Sequence, residues 1–249
     1  MTFARPQDLK KHYSGPQPAA SDVMALLGAK LACYFDTRVS GVTEGGFWRQ
    51  HTDLARGLTV RALSDATRPV AIVDGANFKG RQVIRNVGGT AQGMVSAGAL
   101  SQLAPIGSNV EIFAVARVSP ASVGTVVGCA NAAASITSGA QIYTVNGTQL
   151  RAAIGVEAVA TYSLPATPKL ITGRRDGGAT ILTENVAELA IQAGAGVSQA
   201  TTQLACGSLA TGFVAAAEAF IGAWGICVPA LTDAERARLL EIVRNDWGF

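Results

Sequence analysis

Gln141-Ile142-Tyr143-Thr144-Val145, then Asn146-Gly147, then Thr148-Gln149-Leu150-Arg151 is the stretch on which the fold turns. Two runs of β-favouring residues flank an Asn-Gly pair, which tolerates the positive φ angles of a type I′ turn and so suits a two-residue hairpin. That pairing predicts Tyr143, Val145 and Leu150 on one face, with Ile142, Thr144, Gln149 and Arg151 on the other. Asn146-Gly147-Thr148 also matches a glycosylation sequon, but turn chemistry explains the same residues. A second hairpin runs from Leu170-Ile171-Thr172-Gly173-Arg174-Arg175 through Asp176-Gly177-Gly178 into Thr180-Ile181-Leu182-Thr183. Upstream, Val110, Ile112, Ala114, Ala116 and Val118 form one apolar face, while Phe113 and Val115 make the other apolar too. A strand apolar on both faces belongs in the middle of a sheet. From Lys30 onward, short apolar runs are broken by Gly, Asn and Asp, with no 3.6-residue period until the end. This is the pattern of an all-β sandwich or barrel.

The two ends differ from this text. Thr232 and Glu235 form a T-x-x-E capping box, in which the hydroxyl accepts from an orphan N–H and the carboxylate reaches back to the cap. Leu239, Leu240, Ile242, Val243 and Trp247 follow on one broad helical face that must bury against the sandwich. At the other end, Arg5-Pro6-Gln7-Asp8 through Gly15-Pro16-Gln17-Pro18 reads as an extended arm, because proline fixes φ and removes ladder donors. Ser21-Asp22 then precede Val23-Met24-Ala25-Leu26-Leu27, a short helix closed by Gly28. The organisation expected is an arm over residues 1–29, making assembly contacts, and one sandwich over residues 30–249.

Composition narrows the function. Of the 249 residues 49% are hydrophobic and only 15% charged, against roughly a quarter charged in an average soluble domain. A subunit of a large assembly needs fewer charges than a solitary protein. The net charge is +3 with no run of Lys or Arg longer than two, which argues against a nucleic-acid partner. Cys33, Cys129, Cys206 and Cys227 sit in apolar segments without C-x-x-C spacing, so zinc is not expected and buried thiols are. Cys206 and Cys227, in neighbouring predicted strands, are the one pair to test for a disulfide. Residues 1–22 contain no apolar stretch of a secretory signal, which implies folding in the cytoplasm of the producing cell. Gly212 to Leu231 is apolar, yet Glu218, Gly222, Gly225, Pro229 and its β-like alternation argue against a membrane span.

Phe220-Ile221-Gly222-Ala223-Trp224-Gly225-Ile226-Cys227-Val228, Leu231-Thr232-Asp233-Ala234-Glu235-Arg236 and Trp247-Gly248-Phe249 together carry a family resemblance. The stretch resembles the ending of concanavalin A-like, laminin G-like jelly-roll domains of bacterial and bacteriophage proteins. There a last strand is followed by L-(S/T)-x-x-E-R, a short helix and a terminal aromatic-glycine. Leu31-Ala32-Cys33-Tyr34-Phe35-Asp36 resembles the family's opening strand, and Trp48 with Asp53-Leu54-Ala55-Arg56-Gly57 its tryptophan and D-L-S-G segment. Val110–Val118 and the Leu170–Gly177 hairpin resemble its central strand and later hairpin, so the likeness spans residues 30–249 in order. The chain departs from the family at Asn185-Val186, where an Asn-Gly turn is usual, and in the looser spacing of its tryptophan segment. The resemblance implies a concanavalin A-like jelly-roll β-sandwich with a short C-terminal helix and an extended N-terminal arm. It implies no catalytic or calcium-binding residue.

The residues themselves offer little catalytic chemistry. Glycoside hydrolases on such sandwiches need two carboxylates ~5 Å apart, which an E-x-D-x-x-E strand supplies, and the sequence has none. Glu184 and Glu188 lie in a loop-like stretch, and Asp233 and Glu235 belong to the helix cap. His12 lies in the arm, His51 in a loop, and no serine sits in G-x-S-x-G. Asp74 and Asn77 with Asp65 come nearest to a calcium loop but read as turn residues. Neither metal nor cofactor is expected. For glycan binding the candidates are Phe47, Trp48, Arg49 and His51, with Gln50 between them; the alternative is that Trp48 packs into the core. The sequence reading is a non-enzymatic bacteriophage virion structural protein, a decoration, collar, fibre or tail component. It would assemble with itself and other virion subunits and aid attachment to a host-surface glycan. A free carbohydrate-binding lectin is the alternative, and a glycoside hydrolase is the least supported.

Overall fold

The computed structural model describes residues 20–74, 76–96, 109–121, 123–130, 139–145, 147–194, 203–207 and 216–249. The expected arm segment 1–19 and Asn146 lie outside the described residues. The chain opens with α1 (Ala20–Leu27), then β1 (Leu31–Asp36), β2 (Gly41–Glu44), β3 (Phe47–Thr52), β4 (Thr59–Arg61), β5 (Val70–Asp74), β6 (Arg81–Asn86) and β7 (Gly93–Ser96). The middle of the chain holds β8 (Glu111–Ser119), β9 (Gly124–Ala130), β10 (Ala140–Val145), β11 (Gln149–Ile154) and β12 (Val156–Thr161). Last come β13 (Lys169–Asp176), β14 (Ala179–Glu184), β15 (Ala187–Ala193), β16 (Gln203–Gly207), β17 (Glu218–Cys227) and α2 (Asp233–Trp247).

The strands pair antiparallel in two layers, so the protein is an all-β sandwich with a C-terminal helix. The back layer is built on β8 and β17, paired along their length. β13, β14 and β15 extend it beyond β8. Beyond β17, β1 and β6 share one edge, and β5 follows β6. The front layer runs β2-β3-β4-β7-β16-β9-β10-β11-β12. A single pair, Phe47↔Val70, joins the layers where β3 meets β5.

The central strand behaves as its sequence predicts. Ile112, Ala114, Ala116 and Val118 of β8 face the front layer, in a core with Ile142, Leu150, Ala152, Trp48 and Trp224. Trp224 stacks on Phe35 at 4.2 Å between ring centroids. Phe113 and Val115, on the opposite face, join Tyr34, Leu170 and Ala223 in a second core closed by α1 and α2. Gly222 lies directly beneath the Trp247 ring; a Cβ there would stand 2.7 Å from it, so only glycine admits this approach.

Each end of α2 is fixed. The Glu235 amide donates to the Thr232 hydroxyl at 3.3 Å, and the Thr232 amide donates to the Glu235 carboxylate at 2.7 Å, forming the expected capping box. Gly248 closes the helix in the left-handed conformation at φ +81°. Arg236, almost wholly buried, reaches back to Glu111 on β8 at 3.0 Å. Burial raises the Glu111 carboxyl above its ordinary range, with Arg236 opposing the shift. Arg38 is held between Asp36 and Asp246 and lies over the Trp247 ring at 4.7 Å.

Two expectations are corrected. Residues 20–27 are not part of a separate arm: Val23 and Leu27 of α1 are buried in the helix-side core, since an amphipathic turn beside α2 is stabilised by covering apolar surface. The first hairpin is offset by one residue. Val145 pairs with Gln149 rather than with Thr148, and Gly147 adopts φ +72°, so the register is not that of a two-residue turn. Leu150 therefore faces Thr144, and Ile142, Leu150 and Ala152 enter the core while Tyr143 and Arg151 face outward. The cysteines are the expected buried thiols: all four are free and buried, and Cys206 and Cys227 do not bond. Cys206 lies on β16, paired with β7 and β9, and Cys227 on β17, paired with β1 and β8. Asn185 and Val186 both adopt positive φ between Glu184 and its partner Ala187. The apolar stretch before Leu231 forms strand β17, and no described helix is long and apolar enough to cross a membrane.

Candidate glycan-binding surface

The proposed glycan residues lie on β3, not in a loop, and the structure separates them. Thr43 pairs with Trp48 and Val42 with Gln50, so Arg49 is an extra, bulged residue. A bulge shifts the alternation of faces by one, and both Trp48 and His51 consequently point inward, 1% and 0% exposed. The Trp48 indole donates to the Val83 carbonyl at 3.2 Å, and its ring occupies the space over Gly41. His51 sits between Phe35 and Trp48, at 5.3 and 5.6 Å between ring centroids, and neither ring nitrogen makes a hydrogen bond. Burial lowers its pKa to about 4, with Asp36 opposing. As glycan contacts Trp48 and His51 are thus corrected to core residues. Phe47 and Arg49 remain outside, Phe47 41% exposed.

Phe47 is one member of a longer row. Glu44 pairs with Phe47, Phe47 with Val70, Val70 with Arg85, Arg85 with Phe220 and Phe220 with Arg117. Residues directly opposite one another in a sheet point to the same side. Their chain neighbours Trp48, Ile84, Ala219, Ile221, Ala116 and Val118 all fill the core between the layers, so this row points outward. It lies beside the helical layer, two residues along β17 from the Gly222 contact with Trp247. The Arg117 guanidinium lies 4.5 Å from the Phe220 ring centroid and that of Arg85 lies 5.5 Å from it. At the other end Glu44 meets Arg68 at 3.2 Å and Arg49 at 3.6 Å. Glu44 and Phe47 are exposed and Val70, Arg85, Phe220 and Arg117 half-buried, and aromatic faces beside polar groups can stack against a sugar ring and hydrogen-bond its hydroxyls. No sequence motif marks this row, because its members come from six separate strands.

The remaining acidic candidates are occupied. The Asp74 carboxylate accepts from the Asn77 amide and side chain at 3.1 and 3.0 Å, closing a turn. Asp65 pairs with Arg68 at 2.6 Å. Glu184 ends β14 and Glu188 lies on β15, while Asp233 and Glu235 serve α2. Among the described residues no cluster of three His, Cys, Asp or Glu is placed to hold a metal ion.

No protein-family model matches the chain, and no curated protein sequence matches it. Its fold is shared with solved structures. The binding domain of Paraclostridial Mosquitocidal Protein 1 superposes with TM-score 0.59 at 13% identity, covering 88% of this chain and 53% of that one. The ligand binding domain of botulinum neurotoxin serotype D, solved with N-acetylneuraminic acid, gives 0.56 at 11% identity, covering 88% and 52%. Trypanosoma rangeli sialidase gives 0.54 at 14% identity, covering 85% and 32%. The chain therefore spans about half the length of the toxin domains and about a third of the sialidase.

Proposed function

We propose that this chain is a non-enzymatic glycan-binding sandwich, carried on a bacteriophage particle as a decoration, collar, fibre or tail component that assists attachment to the host surface. The observation that carries the glycan reading is the outward row Glu44–Phe47–Val70–Arg85–Phe220–Arg117, exposed at Glu44 and Phe47 and half-buried at the margin of the helical layer toward Phe220. The shared fold supports it, since the serotype D toxin domain was solved with a sugar bound. A charged fraction of 15% supports a place within an assembly. The absence of an E-x-D-x-x-E strand in the sequence supports binding without hydrolysis.

Glycan-array binding by the purified full chain, repeated with Phe47→Ala and Phe220→Ala, tests the reading. Retention of glycans by the native chain and their loss from both variants is the expected result. Binding that neither variant weakens would place the site elsewhere, and release of sugar at enzymatic rates would overturn the non-enzymatic role. The virion assignment is tested by antibody labelling of intact particles.

A further inference from the structure

We propose that the Arg85–Phe220–Arg117 step of the row is a subsite for an acidic sugar, one bearing a carboxylate or sulfate; the proposal rests on the glycan reading above. Two guanidinium groups flank one phenyl ring, because Phe220 pairs with Arg85 on one side and with Arg117 on the other. Stacking on a ring fixes the plane of a guanidinium while leaving its N–H edge free to donate. Three other arginines are held by carboxylates: Arg151 meets Glu157 at 2.7 Å, Arg236 meets Glu111 at 3.0 Å, and Arg38 lies between Asp36 and Asp246. No carboxylate among the described residues pairs with Arg117. Arg85 has only a long contact to Glu218, at 3.5 Å with both side chains over a third exposed, and such surface pairs contribute little. The Nε atoms of both arginines are buried and make no hydrogen bond.

Two like charges held beside one ring form a site that gains from an added oxyanion. The ring between them offers the apolar face against which the same sugar would stack. Geometry thus couples an anion site to an aromatic platform in one cross-strand row. Carboxylate and sulfate share the chemistry that a guanidinium fork recognises, and the choice between them is left to the experiment.

The full chain is titrated at low salt with N-acetyllactosamine, its sialylated form and its sulfated form, alongside Arg117→Gln, Arg85→Gln and Arg117→Lys. The native chain is expected to bind at least one acidic form tenfold or more tightly than the neutral one, with affinity falling as salt rises. Arg117→Gln should lose that preference and its salt dependence while keeping the native melting temperature. Arg117→Lys should restore only part of it, since lysine keeps the charge but not the planar fork. The better-bound acidic form names the source of the oxyanion. Equal binding of neutral and acidic forms, or acidic binding unchanged in both glutamine variants, overturns the subsite and leaves the glycan reading standing. Failure of every sugar to bind overturns both.

Discussion

At Ala223 and Cys227 the outer surface of β17 is buried beneath the helical layer, and at Phe220 on the same strand, packed at the margin of that core, it is half-buried. The two regions handle charge differently. Beneath the helices Arg38 lies between two aspartates and Arg236 reaches Glu111, because a buried charge without a partner is costly. At the half-buried margin the Arg117 guanidinium lies 4.5 Å from the Phe220 ring centroid, and no carboxylate among the described residues pairs with it. The covered region spends its polar groups on holding the fold; the margin leaves Arg117 without an ion pair.

The largest expected effect lies under the helices. Arg236→Met removes the partner of a fully buried carboxylate, and breaking such a pair from one side costs about 3–5 kcal/mol. Adding Glu111→Gln should recover much of the loss by removing the stranded charge. Arg117→Gln at the half-buried margin, where no ion pair is lost, should cost far less, about 0.5–1 kcal/mol. Urea melts of the three variants check this, and equal losses at Arg236 and Arg117 would erase the distinction between the regions.

His51 provides the next effect, within the core between the layers. Its folded pKa of about 4 lies below the ordinary value of 6.5. The neutral form is favoured in the fold, so the contribution to stability is complete above pH 6.5 and is lost as pH falls through 4. Linkage makes the loss about 3 kcal/mol. Glu111 works in the opposite direction: its raised pKa favours the protonated form, and its share of stability grows as pH falls. The measurement is the difference in unfolding free energy between the native chain and His51→Leu from pH 7 to pH 4. A gap that stays constant across that range would mean that His51 is solvated.

Local devices were readable from sequence and long-range ones were not. The Thr232–Glu235 box, the Asp176-Gly177-Gly178 turn and the two-faced strand β8 depend on neighbours within a few residues, and each lies where its pattern predicts. Asn-Gly after Val145 does not by itself fix the register, and only the burial of Ile142, Leu150 and Ala152 selects pairing with Gln149 over Thr148. The bulge at Arg49 left no residue signature, so alternation from an exposed Phe47 gave no warning that His51 turns inward. Arg85, Phe220 and Arg117 become neighbours only through pairing of distant strands. A site assembled across a sheet in this way has no linear motif to find.

The helix cap separates local from tertiary support for the covered region. Thr232→Ala should cost about 1 kcal/mol, since one amide at the start of α2 loses its acceptor. Glu235 would keep its ion pair with Lys30 at 2.6 Å, which holds the same turn from outside the helix. Thermal melts give the comparison with Arg236→Met, which should be several-fold more harmful. Equal losses would mean that the cap, not the buried pair, anchors the helical layer.

The smallest effect is expected at Val186, outside both regions. This β-branched residue adopts φ +67° in the turn between β14 and β15, after Asn185 at φ +49°. The left-handed conformation costs a non-glycine residue about 1–2 kcal/mol, and Val186 is 40% exposed, so little packing offsets the strain. Asn185 tolerates the geometry better, and its side chain accepts from the Leu170 amide at 3.0 Å, which fixes the turn to β13. Val186→Gly relieves the strain but returns freedom to the unfolded chain, a loss of about 0.4–1 kcal/mol. The balance predicts a gain of about 0.5 kcal/mol, seen as a higher urea midpoint with an unchanged slope and unchanged glycan affinity. A lower midpoint would show that the valine side chain packs against something that its exposure conceals. A changed affinity would extend the functional surface to this edge of the back layer, which the row through Phe220 does not require.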